Sequence, residues 1–206
     1  MTEKIQQYKE QFDTELWSER RAKSLGVTPS VVIDEWEENT RKANEKGSFF
    51  HKFAELKISN KLFDCNIDSR LKEQFYKFLE DSSKNLFPVK SEMVIGDLDL
   101  SIAGTIDQLY WSEKKGGLVI FDWKTNKNFT SSSKYGKKML KPLDDLEESH
   151  INLYSLQLNI YKYIFEKNTG LKIIDLYLVW FNENNNDYII YRCKDLMHKV
   201  KTILGV

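Results

Sequence analysis

The sequence predicts an α+β fold: a central mixed β-sheet flanked by helices, with a helical region at the N-terminus. Three observations predict it. Residues 1–84 carry helical spacings of apolar residues, whereas residues 85–206 open with three short apolar runs punctuated by turn residues. Strand-like and helical segments then alternate to the C-terminus, which is how helices come to cover a sheet. The third is size: 206 residues, 41% hydrophobic and 13% aromatic, make one domain, or one domain with a helical elaboration, and a substantial core.

Residues 1–24 read as a charged helix with Tyr8, Phe12 and Leu16 four apart. Thr28-Pro29-Ser30 interrupts, and Ser30 is placed to cap a second helix through Val32 and Trp36 to about Lys46. Gly47 is expected to end it, with Ser48 capping a third helix that carries Phe49, Phe50, His51, Phe53 and Ala54. A fourth, from about Ile67 to Glu80, puts Leu71, Phe75, Phe78 and Leu79 on one face. After Pro88 the period changes to that of strands: Val89 to Ile95, a turn near Gly96-Asp97, Leu98 to Tyr110, a turn at Gly116-Gly117, then Leu118 to Lys124. Residues 125–148 are rich in Ser, Lys, Asn and Asp and show no core pattern, so this long connection is either functional or partly ordered. Asn152 to Lys167 is an amphipathic helix stopped near Gly170. Strands Ile173 to Phe181 and Tyr188 to Tyr191 follow, and Lys194 to Leu204 is a closing helix.

Global charge excludes little, because 31 basic residues balance 31 acidic ones. Locally, Trp111 to Lys141 holds eight lysines against Glu113 and Asp122, an excess of six. Such a stretch, with Lys127, Lys134, Lys137 and Lys138 as its contacts, suits a polyanion, and equally suits a solvated loop. Cys65 and Cys193 alone suggest a reducing, intracellular setting and cannot supply a four-cysteine iron–sulfur cluster. No run approaches the roughly 18 apolar residues of a membrane span, and Met1-Thr2-Glu3-Lys4-Ile5 lacks the apolar core of a secretory signal.

The chemistry concentrates at two places. Gly104-Thr105-Ile106-Asp107 lies on the second strand, and Asp122-Trp123-Lys124 ends the third, after the apolar run Leu118-Val119-Ile120-Phe121. Charges set at the rim of a buried strand need a partner or a metal. Two carboxylates can share a hard cation such as Mg²⁺, and Lys124 falls on the same side of its strand as Asp122. Metal-assisted phosphodiester hydrolysis needs these parts. Gln157 and Tyr161 share a helix face, where a buried amide requires partners. His51, among phenylalanines, is by itself more often structural than a ligand. Glu92, one strand before Asp107, reads as a surface pair or an accessory group.

Together these motifs resemble the PD-(D/E)XK nuclease superfamily, in particular its RecB-like exonuclease branch. The resemblance rests on Gly47-Ser48-Phe49-Phe50-His51, Gly104-Thr105-Ile106-Asp107, Asp122-Trp123-Lys124 and Gln157-Leu158-Asn159-Ile160-Tyr161, in that order. The phrase Phe121 to Lys127 is also similar to phage-encoded exonucleases and to the mitochondrial genome-maintenance exonuclease. The resemblance implies a restriction-endonuclease-like core over residues 85–206, with residues 1–84 forming a wall or arch over the cleft. It implies a metal-dependent DNA exonuclease acting on single strands or free duplex ends, with a structure-specific endonuclease or junction resolvase, or a non-catalytic nucleic-acid-binding module, as alternatives. His51, Asp107, Asp122 and the Trp123 carbonyl would ligate Mg²⁺ or Mn²⁺. Lys124 would orient or deprotonate the attacking water and stabilise charge, Gln157 and Tyr161 would hold Lys124, water or substrate, and Glu92 would assist. DNA is the implied partner, with replication or recombination proteins beside it, inside the cell and in a phage-like setting.

Overall fold

The computed structural model describes residues 3–62, 66–133 and 136–206. The expected N-terminal helix is two, α1 (Glu3–Gln6) and α2 (Thr14–Leu25). Asp13 starts the second by accepting from the Leu16 amide at 2.9 Å, a cap that a periodic reading of apolar residues passes over. The two helices expected on either side of Gly47 are one, α3 (Pro29–Ile58), capped at Thr28 rather than Ser30, with Pro29 in its first turn. Interior glycine costs a helix only about 1 kcal/mol. Burial of Phe50, Phe53 and Ala54 just beyond it outweighs that cost. α4 (Ser69–Ser82) starts at Asp68, which accepts from the Arg70 and Leu71 amides.

The sheet has five strands in sequence order: β1 (Leu86–Asp97), β2 (Ile102–Ser112), β3 (Gly117–Lys124), β4 (Ile173–Trp180) and β5 (Ile189–Arg192). β1, β2 and β3 are antiparallel neighbours, β3 and β4 are parallel, and β4 and β5 are antiparallel. The parallel pair requires a crossover, and α5 (His150–Thr169) supplies it; α6 (Met197–Leu204) closes the chain. This is the expected mixed sheet flanked by helices, an arrangement consistent with a restriction-endonuclease-like core.

Strand alternation divides the interior in two. Val119, Phe121 and Trp123 face one layer, where they meet Phe50 and Phe53 of α3, Phe75 and Phe78 of α4, and Phe181. Ile120 faces the other, with Leu156, Ile160 and Ile164 of α5 and Val200 and Ile203 of α6. α3 and α4 therefore bury their aromatic faces on the sheet itself.

The connection 125–148 is anchored, contrary to the expectation of no core pattern. Met139, Leu143 and Leu146 are buried in the α5 layer, and Lys138 bridges to Glu147. The turns Leu143 N–H to Leu140 O and Leu146 N–H to Leu143 O bring these three inward from a polar context, so neither a period of 2 nor of 3.6 marks them. Phe129 stacks on Tyr191 with ring centroids 4.6 Å apart and fastens the first part of the loop to β5. Among the described residues no helix is long and apolar enough to cross a membrane.

Candidate metal centre

The chemistry gathers at the C-terminal end of β3, where the two layers meet. α3 delivers His51 from one face, and α5 brings Tyr154, Gln157 and Tyr161 from the other. A cleft of about 890 Å³ opens there, with His51, Glu92, Trp123, Lys124, Asn126, Lys127 and Tyr154 on its lining. Lys46 and Glu183, which also line it, pair with each other between α3 and the segment after β4.

His51, Glu92 and Asp107 form one group whose donor atoms all lie within 4.8 Å of one another. His51 Nδ1 is 3.4 Å from Asp107 Oδ1 and 3.7 Å from Glu92 Oε1. Its other nitrogen, Nε2, donates to the Trp123 carbonyl at 3.2 Å. That carbonyl orients the ring so that Nδ1 faces the carboxylates, as an outer partner does for a metal-bound histidine. Asp107 is buried and its Oδ2 accepts from the Trp123 amide at 2.7 Å, which locks β2 to β3 beyond their last ladder pair.

Glu92 stands opposite Asp107, between Ser91 and Met93, which pair with Gln108 and Ile106. Its φ is +46°, a conformation that side-chain-bearing residues rarely adopt. Its Oε1 is buried and accepts no hydrogen bond. A strained backbone holding an unsatisfied carboxylate oxygen toward a second carboxylate and an imidazole is what a cation would relieve. Three hard or borderline donors of this kind suit a divalent metal cation. The residues fit a divalent ion.

The titration behaviour follows from the same packing. Burial disfavours charge on His51, but the adjoining carboxylates, Asp107 above all and then Glu92, prevail and push it up to about 10. Burial likewise opposes ionisation of Asp107, and His51, Lys124 and the Trp123 amide overcome it, so its pKa is lowered. A proton on His51 thus neutralises the carboxylates in the place where a metal would do so.

Asp122 and Lys124 make a second, adjoining unit. Asp122 is buried, and its Oδ2 ion-pairs with Lys124 Nζ without a well-directed hydrogen bond. Burial, against the pull of Lys124 and with the repulsion of Asp107, pushes Asp122 up to about 6. Lys124 is desolvated as well, yet the charges of Asp122 and Asp107 raise its pKa above the ordinary lysine value. Its Nζ lies 4.5 Å from the ring centre of Tyr154. On α5, Gln157 Nε2 donates to the Tyr161 hydroxyl at 2.9 Å. Burial raises the Tyr161 pKa, and the charges of Asp122 and Asp107 add to that rise.

The structure therefore brings His51, Asp107, Asp122, Lys124 and the Gln157–Tyr161 pair to one rim. Asp122 and the Trp123 carbonyl, expected among the ligands, are engaged with Lys124 and His51 respectively, while Glu92, expected as an accessory, stands among the donors. Sequence reasoning missed Tyr154 and Asn126 as site residues; Tyr154 lies three and seven positions before Gln157 and Tyr161, a spacing that places all three on one helix face. Of the expected nucleic-acid contacts, Lys127 is exposed on the cleft and Lys138 is exposed beyond it. Lys137 is paired with Glu148 at 3.1 Å and with Glu10 at 3.4 Å, and Lys134 lies outside the described residues.

No family model matches the sequence. No curated protein matches it either. Among solved structures it is similar to a protein of Eubacterium rectale provisionally named an exonuclease, with 15% identity and a TM-score of 0.46 over 79% of this chain and 63% of that one. It is also similar to a protein named SSO0001, with 12% identity and a TM-score of 0.32 over 77% of this chain and 83% of the other. The chain thus spans less than two thirds of the Eubacterium rectale protein, and likeness at these scores carries no functional weight.

Proposed function

We propose that this protein is a metal-dependent deoxyribonuclease that hydrolyses phosphodiester bonds as an exonuclease on single strands or free duplex ends, with Mg²⁺ or Mn²⁺ as its ion. One observation carries the reading: His51, Glu92 and Asp107 converge within 4.8 Å beside the half-buried Lys124 ammonium, in an open cleft. A divalent ion held there supplies an acidified water and neutralises phosphate charge.

The chain's own residues do the rest. His51 Nδ1, Asp107 and Glu92 hold the ion, and the Trp123 carbonyl fixes the histidine that does so. Lys124 contributes charge. Its raised pKa suits it to bind a non-bridging phosphate oxygen and the negative charge that grows there, rather than to remove a proton from water. Asp122 keeps the ammonium at the rim. Gln157 and Tyr161 form a hydrogen-bonded wall that faces the two aspartates. Lys127, on the cleft lining, meets the DNA backbone. Replication or recombination proteins are the partners such an activity would serve.

The test is cleavage of end-labelled single- and double-stranded DNA with Mg²⁺ or Mn²⁺, with chelator as control. Lys124→Ala should lower turnover by about 10²-fold or more, in the range for losing one preorganised charge-stabilising group, while DNA binding persists. Full activity in that variant ends the assignment. Cleavage of closed circular single strands by the wild-type protein would replace the exonuclease with a structure-specific endonuclease.

A further inference from the structure

Lysine is a compact charge on a flexible stem, so an ion pair alone leaves the Lys124 ammonium several orientations over Asp122. A second surface limits them. Lys124 Nζ lies over the face of Tyr154, 4.5 Å from the ring centre, and both line the cleft. Tyr154 is fixed in turn, because its hydroxyl accepts from Asn126 Nδ2 at 3.0 Å. The Asn126 carbonyl receives Trp180 Nε1 and Asn182 Nδ2, both at 2.8 Å. Asn182 is anchored by Gln74, whose amide exchanges hydrogen bonds with the Asn182 backbone at 2.9 and 3.0 Å. Both of these side chains are buried. A continuous path therefore runs from α4 through Asn182 and Asn126 to the ring that holds the ammonium.

We propose that Tyr154 is a positioning residue: its ring face, set by Asn126, holds the Lys124 ammonium at the angle from which it meets the scissile phosphate. This rests on the nuclease reading of Lys124. The ring acts through the attraction between a desolvated cation and the negative face of an aromatic system. Tyr154 touches none of the candidate metal donors among the described contacts, so its loss should be felt in turnover and not in ion affinity.

The experiment compares wild-type protein, Tyr154→Phe, Tyr154→Leu and Asn126→Ala. It has two readouts: metal-dependent cleavage of an end-labelled single strand, resolved into kcat and KM, and the NMR signal of the Lys124 ε-methylene in metal-free protein, identified by its loss in Lys124→Met. The ring should shift that signal upfield in wild type and Tyr154→Phe, and the shift should vanish in Tyr154→Leu. Tyr154→Phe, which loses one hydrogen bond, should lower kcat about threefold. Tyr154→Leu, which loses the ring face, should lower it about a further tenfold. KM and Mn²⁺ affinity should not move. Asn126→Ala should match Tyr154→Phe, and combining the two should add nothing, since both remove the same bond. Equal kcat in the Leu and Phe variants, or an unshifted Lys124 signal in wild type, overturns the proposal. A shifted signal in a wild-type protein that cleaves no DNA with either ion overturns the nuclease reading, and the role with it.

Discussion

The ring of Tyr161 packs directly on the bare backbone of Gly104: a Cβ built on the glycine would stand 2.5 Å from Cε1 of the tyrosine and 2.7 Å from its hydroxyl. Two motifs more than fifty residues apart are therefore one contact, and the glycine is there to admit the ring. Gly104→Ala should force Tyr161 off β2, break its bond with Gln157 and destabilise the protein by roughly 1–3 kcal/mol, the usual result of overpacking. Denaturant melts should show that loss. They should also show it nearly absent when Gly104→Ala is placed in a Tyr161→Ala background, since the clash then has no second member. An equal loss in both backgrounds would show that the glycine serves something else.

Glu92 should trade stability for metal binding. Its positive φ and its proximity to Asp107 both count against the metal-free fold. Asparagine tolerates that backbone conformation and carries no charge. Glu92→Asn should raise metal-free stability by about 1 kcal/mol, after allowing for the weak pairing lost to His51. The rise in melting temperature on adding Mn²⁺ should shrink in the same variant. A fall in metal-free stability would contradict the reading of strain.

A separate acid-sensitive contact lies on β4. Asp175 is buried between Lys115 Nζ and Arg192 Nε, the latter at 2.6 Å. Burial opposes its charge, and the two basic partners overcome that and hold its pKa below the ordinary carboxylate value. Because the folded value is the lower one, its contribution is complete above the unfolded pKa of about 4 and disappears as the pH falls through the folded value. Asp175→Asn should therefore cost about 1–2 kcal/mol at pH 7 and progressively less below about pH 4. Denaturant midpoints at pH 7, 5 and 3 measure the difference, and a gap that stays constant would exclude the ion pairs as its source.

Two lysines of the basic stretch should behave differently on DNA. Lys127 lines the cleft and has no carboxylate within ion-pairing distance among the described residues, whereas Lys137 is already matched by Glu148 and Glu10. Lys127→Ala should weaken binding and reduce the slope of log affinity against log salt by about 0.7–0.9, the value for one phosphate contact. Lys137→Ala should leave that slope unchanged. Equal slopes for both variants would mean that local pairing does not select the contacts.

Much of this was legible in order along the chain. The four motifs ending at His51, Asp107, Lys124 and Tyr161 stand out because each breaks the apolar period of its element with a polar group that burial makes expensive. The strands and α5 were legible as elements because their apolar periods continue on either side of those polar positions. Gly47 misled because helix continuity there depends on burial of Phe50 and Phe53 against the sheet, which no local propensity contains. Met139, Leu143 and Leu146 were hidden because tight turns, not a repeat, aim them inward.

By itself, then, the sequence determined the α+β class, the order of the five strands and the crossover helix, and which polar residues interrupt them, because periodicity and polarity are local properties of the chain. Only the tertiary structure decided how those residues stand against one another. It drew Glu92 into one group with His51 and Asp107, turned the Trp123 carbonyl toward the histidine, and laid Lys124 against Tyr154. These outcomes depend on strand register, on a backbone held at positive φ, and on the meeting of α3 and α5 at one sheet rim. Each is a property of the packed chain, where a carboxylate's role is set by what stands within a few ångströms of it.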